Sequence, residues 1–412
     1  MTATYDAHQR GATTQSVAGH RADHDQRKLH TAEYALPVAA PVPADLGVHI
    51  SLICIQPHQP VPRVTNAGPR PSDVPCSFKF NANGVAVLVL SRGDVEAVLD
   101  LDRLVDAVAA AMADLSHGRA SMPPRVAASV SGRRAMLAAM PAFLPSAGAL
   151  TTKLVSLFPE NTDRPTHQAI ICCFDATTGT PVAVMDGTFV TAARTAAGSA
   201  LATRLLSRAG SSVVSVIGTG VQARAHARAL SRLPGIEVLQ IAGRDHGKVV
   251  ALAGELADSG IRAQAVASIE NAVRSADIVC AATHAGEPVV RREWLRPGTH
   301  VNSVGYNSAG AGEVDMATIR DAVVVVESRT AVLAAPPAGA VELRRAIEAG
   351  VIGADHVQAE IGELVTGDRP GRTDPAHITL YKSVGVAVQD AAAAALVLQA
   401  ARDQGVGSRT EM

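Results

Sequence analysis

The stretch Gly218-Thr219-Gly220-Val221-Gln222-Ala223 constrains this chain more than any other feature. It spells G-x-G-x-x-A directly after the β-branched run SSVVSVI and directly before the helical pattern VQARAHARALSRL. A second strand pattern, IEVLQIA, follows, so the stretch sits inside one strand–helix–strand unit. Gly218 permits the tight turn, Gly220 lets a pyrophosphate approach the backbone, and Ala223 allows close helix–strand packing. The helix N-terminus adds free N–H groups and the positive end of its dipole. The alternation continues through HGKVVALAGELADSG, AQAVA, SIENAVRSA, DIVCAAT, THVNSVG and AVVVVES. Such spacing predicts a doubly wound parallel sheet that binds a dinucleotide.

The end of the second strand bears on which dinucleotide. An NAD-selective site places an acid there for the ribose 2′-hydroxyl, whereas NADP favours an arginine for the 2′-phosphate. Here Gly243 occupies the strand end and Arg244 follows. A guanidinium fork suits a phosphate. NADP(H) is therefore preferred, with NAD(H) possible. In the alternative the strand runs longer and Asp245 is the ribose acid.

Upstream the pattern differs. From Val85, VAVLVL reads as a strand, and DVEAVLDLDRLVDAVAAAMADLSHG as one helix closed by Gly118. ALTTKLVSLFP, QAIICCFDATTG and TPVAVMDG read as short, mostly antiparallel strands, with a hairpin turning at Asp175, Thr178 and Gly179. An Ala-rich helix spans Thr191 to Arg208, and a last one reads KSVGVAVQDAAAAALVLQAAR. The tail DQGVGSRTEM reads as loose. Residues 1–84 hold 9 of the 23 prolines and 6 of the 14 histidines without a sustained period. They read as a disordered extension, or as sequence added by an upstream start codon, with one isolated strand possible at HISLICI.

Composition excludes several function classes. Lys plus Arg is 37 and Asp plus Glu is 38, so no bulk positive charge drives nucleic-acid binding. No stretch approaches a membrane span, and the N-terminus lacks a secretory signal pattern. The five cysteines form no CxxC pair, so neither a disulfide framework nor a structural zinc site is indicated, and no metal is expected. Cys172 and Cys173 read as strand packing residues, and nothing places His284 or His377 near a reacting carbon. A cytoplasmic enzyme is expected.

From about Val85 to Arg402 the chain resembles the ornithine cyclodeaminase/mu-crystallin family. The carrying segments are LSRGDVEAVLDLDRLVDAV, MPPRVA, KLVSLFPEN, FDATTGTPVAVMDG, TAARTAAGSALA, IGTGVQARAHARAL, THVNSVG and ITLYKSVGVAVQD. The resemblance implies an α/β fold, a Rossmann-type doubly wound parallel sheet plus a discontinuous α+β substrate-binding and dimerisation domain. The latter would take residues 85–200 and 378–405, the Rossmann domain 201–377. It implies a homodimer and NAD(H) or NADP(H) as cofactor. It also implies one of several reactions: ornithine cyclodeamination, alanine dehydrogenation, or reduction of cyclic ketimines.

Three cations match the family's substrate site: Arg125 in MPPRVA, Lys153 in TTKLVS and Arg194 in TAARTAA. A guanidinium grips a carboxylate in bidentate fashion, and a lysine can hold the same group or pass a proton. The resemblance also implies nucleotide contacts at Thr166, Arg194, Gly218, Gly220, Val221, Gln222, Ala223, Arg244, Thr283, Val301, Val304 and Ser383. In one place the chain departs from the cyclodeaminases. Where they carry a catalytic aspartate, GYNSAGAGEVD has Asn307, and Gly310-Ala311-Gly312 stands where they have a lysine. Asparagine takes no proton at neutral pH. Imine reduction needs fewer proton transfers than amine oxidation or cyclodeamination, because a protonated imine already accepts hydride. Lys153 and Asn307 are thus the candidate catalytic residues. The expected activity is NADPH-dependent reduction of a cyclic or linear 2-imino acid. Ornithine cyclodeaminase and a nucleotide-dependent binding protein are the alternatives.

Overall fold

The structure is a computed structural model, and it describes residues 85–306, 310–335 and 338–411. HISLICI and Asn307 lie outside the described residues.

The first region opens with strand β1 (Ala86–Leu90), helices α1 (Arg92–Val98) and α2 (Leu101–Ser116), and strands β2 (Val126–Ser129) and β3 (Met136–Leu144). Strands β4 (Ala149–Leu157), β5 (His167–Phe174) and β6 (Pro181–Asp186) follow. The single helix expected over 94–118 is two, because Asp100 caps a new start: its side chain accepts the amides of Asp102 and Arg103. The hairpin turn forms as read, with Asp175 accepting from Thr177 and Thr178 and Gly179 at φ 72°.

Helix α3 (Gly187–Leu206), capped by Asp186, leads into the second region. There β7 (Val213–Ile217), α4 (Val221–Leu230), β8 (Val238–Ala242), α5 (His246–Asp258), β9 (Ala263–Ala265), α6 (Ile269–Ser275) and β10 (Ile278–Ala281) alternate. They are followed by β11 (His300–Ser303), α7 (Met316–Asp321), β12 (Val323–Val326), α8 (Arg329–Val332), α9 (Val341–Glu348), β13 (Val357–Glu360) and α10 (Ile361–Thr366). Strand β14 (Thr379–Lys382), helix α11 (Ala387–Gln404) and strand β15 (Ser408–Glu411) complete the described chain.

Two sheets result. The first, seven-stranded, runs β15-β1-β6-β5-β4-β3-β2 and is mixed. The second, eight-stranded, runs β13-β12-β14-β11-β10-β7-β8-β9, and every pairing in it is parallel. Its order reverses between β7 and β10, beside the glycine turn, where open α/β sheets bind ligands. The α/β class read from the sequence holds.

Three local readings change. The tail is not loose: β15 pairs antiparallel with β1. The boundary expected at 378 falls before a strand that belongs to the second sheet, since β14 lies between β11 and β12. The last helix begins only at Ala387, because Gly385 adopts φ 78° and turns the chain out of β14. Among the described residues no helix is long and apolar enough to cross a membrane.

Candidate active site

Lys153 occupies the covered face of β4, in register with Met140 and Ile171. Burial alternates along that strand, so Ala149, Thr151, Lys153 and Val155 all point inward. An ammonium there needs an acid, and helix α11 supplies Asp390, 2.7 Å from the Lys153 Nζ. Arg194, from α3, meets the other oxygen of Asp390 at 2.9 Å through Nε. Its Nη1 donates to the Gln389 side chain at 3.1 Å. Lys153, Arg194 and Asp390 are at most 4% exposed. A Cβ on Gly385 would sit 2.9 Å from the Arg194 guanidinium, so glycine there makes room for it.

Arg125 arrives just before β2 and is half-buried. It donates to the backbone oxygens of Val384 and Gly385, at 3.2 and 2.7 Å. That loop is held from behind by Glu327, which accepts from the Ser383 hydroxyl and the amides of Val384 and Gly385. The structure therefore gathers Arg125, Lys153 and Arg194 about one place, with Asp390 as the buried counter-charge of Lys153 and Arg194 and Glu327 the stronger attraction on Arg125.

The charges tune one another. Burial pushes Lys153 down to about 8, against the pull of Asp390, with Arg194 also lowering it. Burial works against the Asp390 carboxylate, but Arg194 and Lys153 offset this and hold it below its ordinary range. His167, at the start of β5, is pushed down to about 4 by burial and then by Lys153 and Arg194, so it is neutral at physiological pH. A lysine that titrates near 8 can give a proton at neutral pH.

The glycine turn behaves as its residues require. Gly218 adopts φ 126°, and a Cβ on it would lie 2.5 Å from the Ala282 backbone oxygen. Ala223 is fully buried. Gly220 is the N-cap of α4 with no side-chain cap, and a Cβ on it would meet nothing within 4 Å. Gln222 Oε1 is buried without a hydrogen-bond partner. Open first-turn amides, open space at Gly220 and an unsatisfied Gln222 fit the pyrophosphate part of a dinucleotide. Val221 is exposed at the helix start. Strand β8 ends at Ala242, so Gly243 and exposed Arg244 do follow the strand end. Asp245 instead caps α5 by accepting from the Lys248 amide.

Other expected contacts have different local partners. The Thr283 hydroxyl and amide both donate to Glu313, and the Ser383 hydroxyl to Glu327. Val301 is fully buried in the apolar core. Val304 is half-buried against the core, and Thr166 is exposed with its carbonyl accepting from Phe158. Cys173 packs in the core, but Cys172 lies half-buried on the opposite face of β5. Asp390, Gln389, Glu313 and Glu327 escaped the sequence reading. Only Asp390 left a mark there, as the one acid in the Ala-rich stretch AVQDAAAAALVLQAA.

A family model described as the ornithine cyclodeaminase/mu-crystallin family matches residues 86–405. The chain belongs to that family. It is 36% identical over 299 residues to ketimine reductase mu-crystallin of Mus musculus, covering 71% of this chain and 90% of that protein. Its fold is similar to that of Thermococcus litoralis Δ1-pyrroline-2-carboxylate reductase, solved with NADH and L-proline. That likeness has a TM-score of 0.74 and 37% identity, covering 79% of this chain and all of that one. An archaeal alanine dehydrogenase dimer with bound NAD is similar at a TM-score of 0.72 and 32% identity, covering 80% of this chain and all of that one.

Proposed function

We propose that the chain is an NAD(P)-dependent oxidoreductase that reduces 2-imino acids of the Δ1-pyrroline-2-carboxylate kind to the amino acid. The observation that carries this is the group of half-buried Arg125 and buried Lys153 and Arg194, three cations that face two acids, Asp390 and Glu327. Such an excess of positive charge suits a carboxylate-bearing substrate. Bound reduced nicotinamide nucleotide supplies the hydride. Arg125 and Arg194 orient the substrate carboxylate, and the neighbouring Lys153 holds a proton for the imine nitrogen. Asp390 keeps Lys153 and Arg194 in place. Gly218, Gly220, Val221, Gln222 and Ala223 would hold the pyrophosphate at the start of α4, with Thr166, Thr283, Val304 and Ser383 on segments near the nucleotide. Asn307 serves as a hydrogen-bond partner rather than a base.

NADPH is the preferred donor in this reading. Gly243 removes the acid that would repel a 2′-phosphate, Arg244 is exposed beside it, and Asp245 is engaged as a helix cap. The working unit is a homodimer. The outer face of the first sheet carries Val89, Val126, Leu137 and Ile170, each at least 40% exposed, an apolar surface that a second copy would cover. The expected location is the cytoplasm.

The test follows nicotinamide absorbance with Δ1-pyrroline-2-carboxylate and NADPH or NADH. Substrate-dependent oxidation, faster with NADPH, is expected. Ammonia release from ornithine with catalytic NAD, and no imine-dependent oxidation, would instead identify a cyclodeaminase.

A further inference from the structure

Glu313 is 2% exposed and accepts four donors. Oε1 receives the Thr283 amide at 2.6 Å and its hydroxyl at 2.8 Å. Oε2 receives the Ser303 hydroxyl at 3.0 Å and the Gly305 amide at 2.7 Å. Four donors saturate the lone-pair sites of a carboxylate. Thr283 lies just past the end of β10 and Gly305 just past the end of β11, so one side chain ties two neighbouring strand ends together. The residue is itself anchored, because its backbone oxygen accepts the amides of Val289 and Val290.

The surroundings are built for this grip. A Cβ on Gly305 would lie 2.4 Å from the Glu313 carboxyl carbon, so any side chain there would displace the carboxylate. Lys382, at the end of β14, donates to Ser303 Oγ at 3.2 Å and to the Gly305 oxygen at 2.9 Å, and pairs with Glu342 at 2.8 Å. Ser303 thus accepts from Lys382 and donates its own hydroxyl hydrogen bond to Glu313, extending the tie to a third strand. One peptide before Thr283, the Ala282 oxygen abuts Gly218 of the glycine turn. These strand ends adjoin the point where the sheet order reverses.

We propose that Glu313 is a positioning residue for the nicotinamide nucleotide. It acts through Thr283 and Gly305, fixing the backbone beside the glycine turn without touching the ligand. The inference rests on the oxidoreductase reading above.

The experiment titrates the full chain with NADPH and NADH by nucleotide fluorescence, comparing wild type, Glu313→Gln, Thr283→Val and the double variant. Glu313→Gln replaces one carboxylate oxygen by an NH2 that opposes one of the two backbone amides, so nucleotide Kd rises roughly tenfold or more. Thr283→Val alone raises it about threefold, and adding it to Glu313→Gln changes little further, because both break the same tie. With nucleotide saturating, KM for the imino acid stays within about twofold, which general loosening of the fold would not give. If Glu313→Gln does not fold, Thr283→Val and Ser303→Ala, each removing one donor, carry the test. Unchanged nucleotide Kd in folded Glu313→Gln, or in both single-donor variants, overturns the inference, as do fully multiplicative effects in the double variant. A wild-type chain that binds neither nucleotide overturns the oxidoreductase reading, and this inference with it.

Discussion

The two sheets bury charge in opposite ways. On the covered face of the first, Lys153 and Arg194 share the acid Asp390, and Arg125 close by feels Glu327 as well as Asp390, so three cations face two acids. At the strand ends of the second, Glu313 and Glu327 are satisfied chiefly by backbone amides and hydroxyls, and Glu342 pairs with Lys382. Burying an ion is costly unless it is paired or hydrogen-bonded. The second arrangement is complete within the chain. The first has a cation to spare, and a substrate carboxylate would complete it. A buried surplus of one sign marks a place for a ligand, whereas a saturated carboxylate marks a strut.

Breaking the incomplete side should cost most activity. Arg125→Met removes a half-buried guanidinium, and kcat/KM for Δ1-pyrroline-2-carboxylate should fall about 10²–10³-fold. Steady-state kinetics with a thermal melt separates this from unfolding. Asp390→Asn strands two buried cations and should lower stability by about 3–5 kcal/mol, read by denaturant titration. It also sharpens the electrostatic account. Asp390 raises the Lys153 pKa, so its neutralisation should let Lys153 lose its proton at lower pH. In wild type kcat/KM should decline as pH rises through about 8, since the proton donor is then lost, and Asp390→Asn should move that decline downward. On the complete side, Glu327→Gln should loosen the Ser383–Gly385 loop and raise imino-acid KM by roughly tenfold. The smallest effect belongs to exposed Arg244: Arg244→Ala should reduce the preference for NADPH by about fivefold to tenfold and leave NADH kinetics unchanged.

The same division explains what the sequence made legible. The glycine turn, its flanking strands and the parallel sheet could be read because their causes are local: spacing, small residues and β-branched runs. The cations could be read because each sits in a short segment resembling the family's. Pairings between distant segments could not. β15 joins β1 across the length of the domain, and β14 enters the second sheet although its sequence runs straight on into a helical pattern. The break before α2 was hidden because apolar periodicity continues across Leu99 and Asp100, and only the cap reveals it. Glu313 and Glu327 sit at loop positions without periodicity, so nothing local distinguishes them from solvated acids. Asp390 was visible in principle, because an acid with no polar face around it demands a buried partner.

The central claim is that the cations of the first sheet read a substrate carboxylate. It is tested most directly by comparing NADPH oxidation with Δ1-pyrroline-2-carboxylate and with 1-pyrroline, the same ring without the carboxylate. The account predicts that kcat/KM for 1-pyrroline is lower by about 10³-fold or more. Comparable values for the two imines would contradict it.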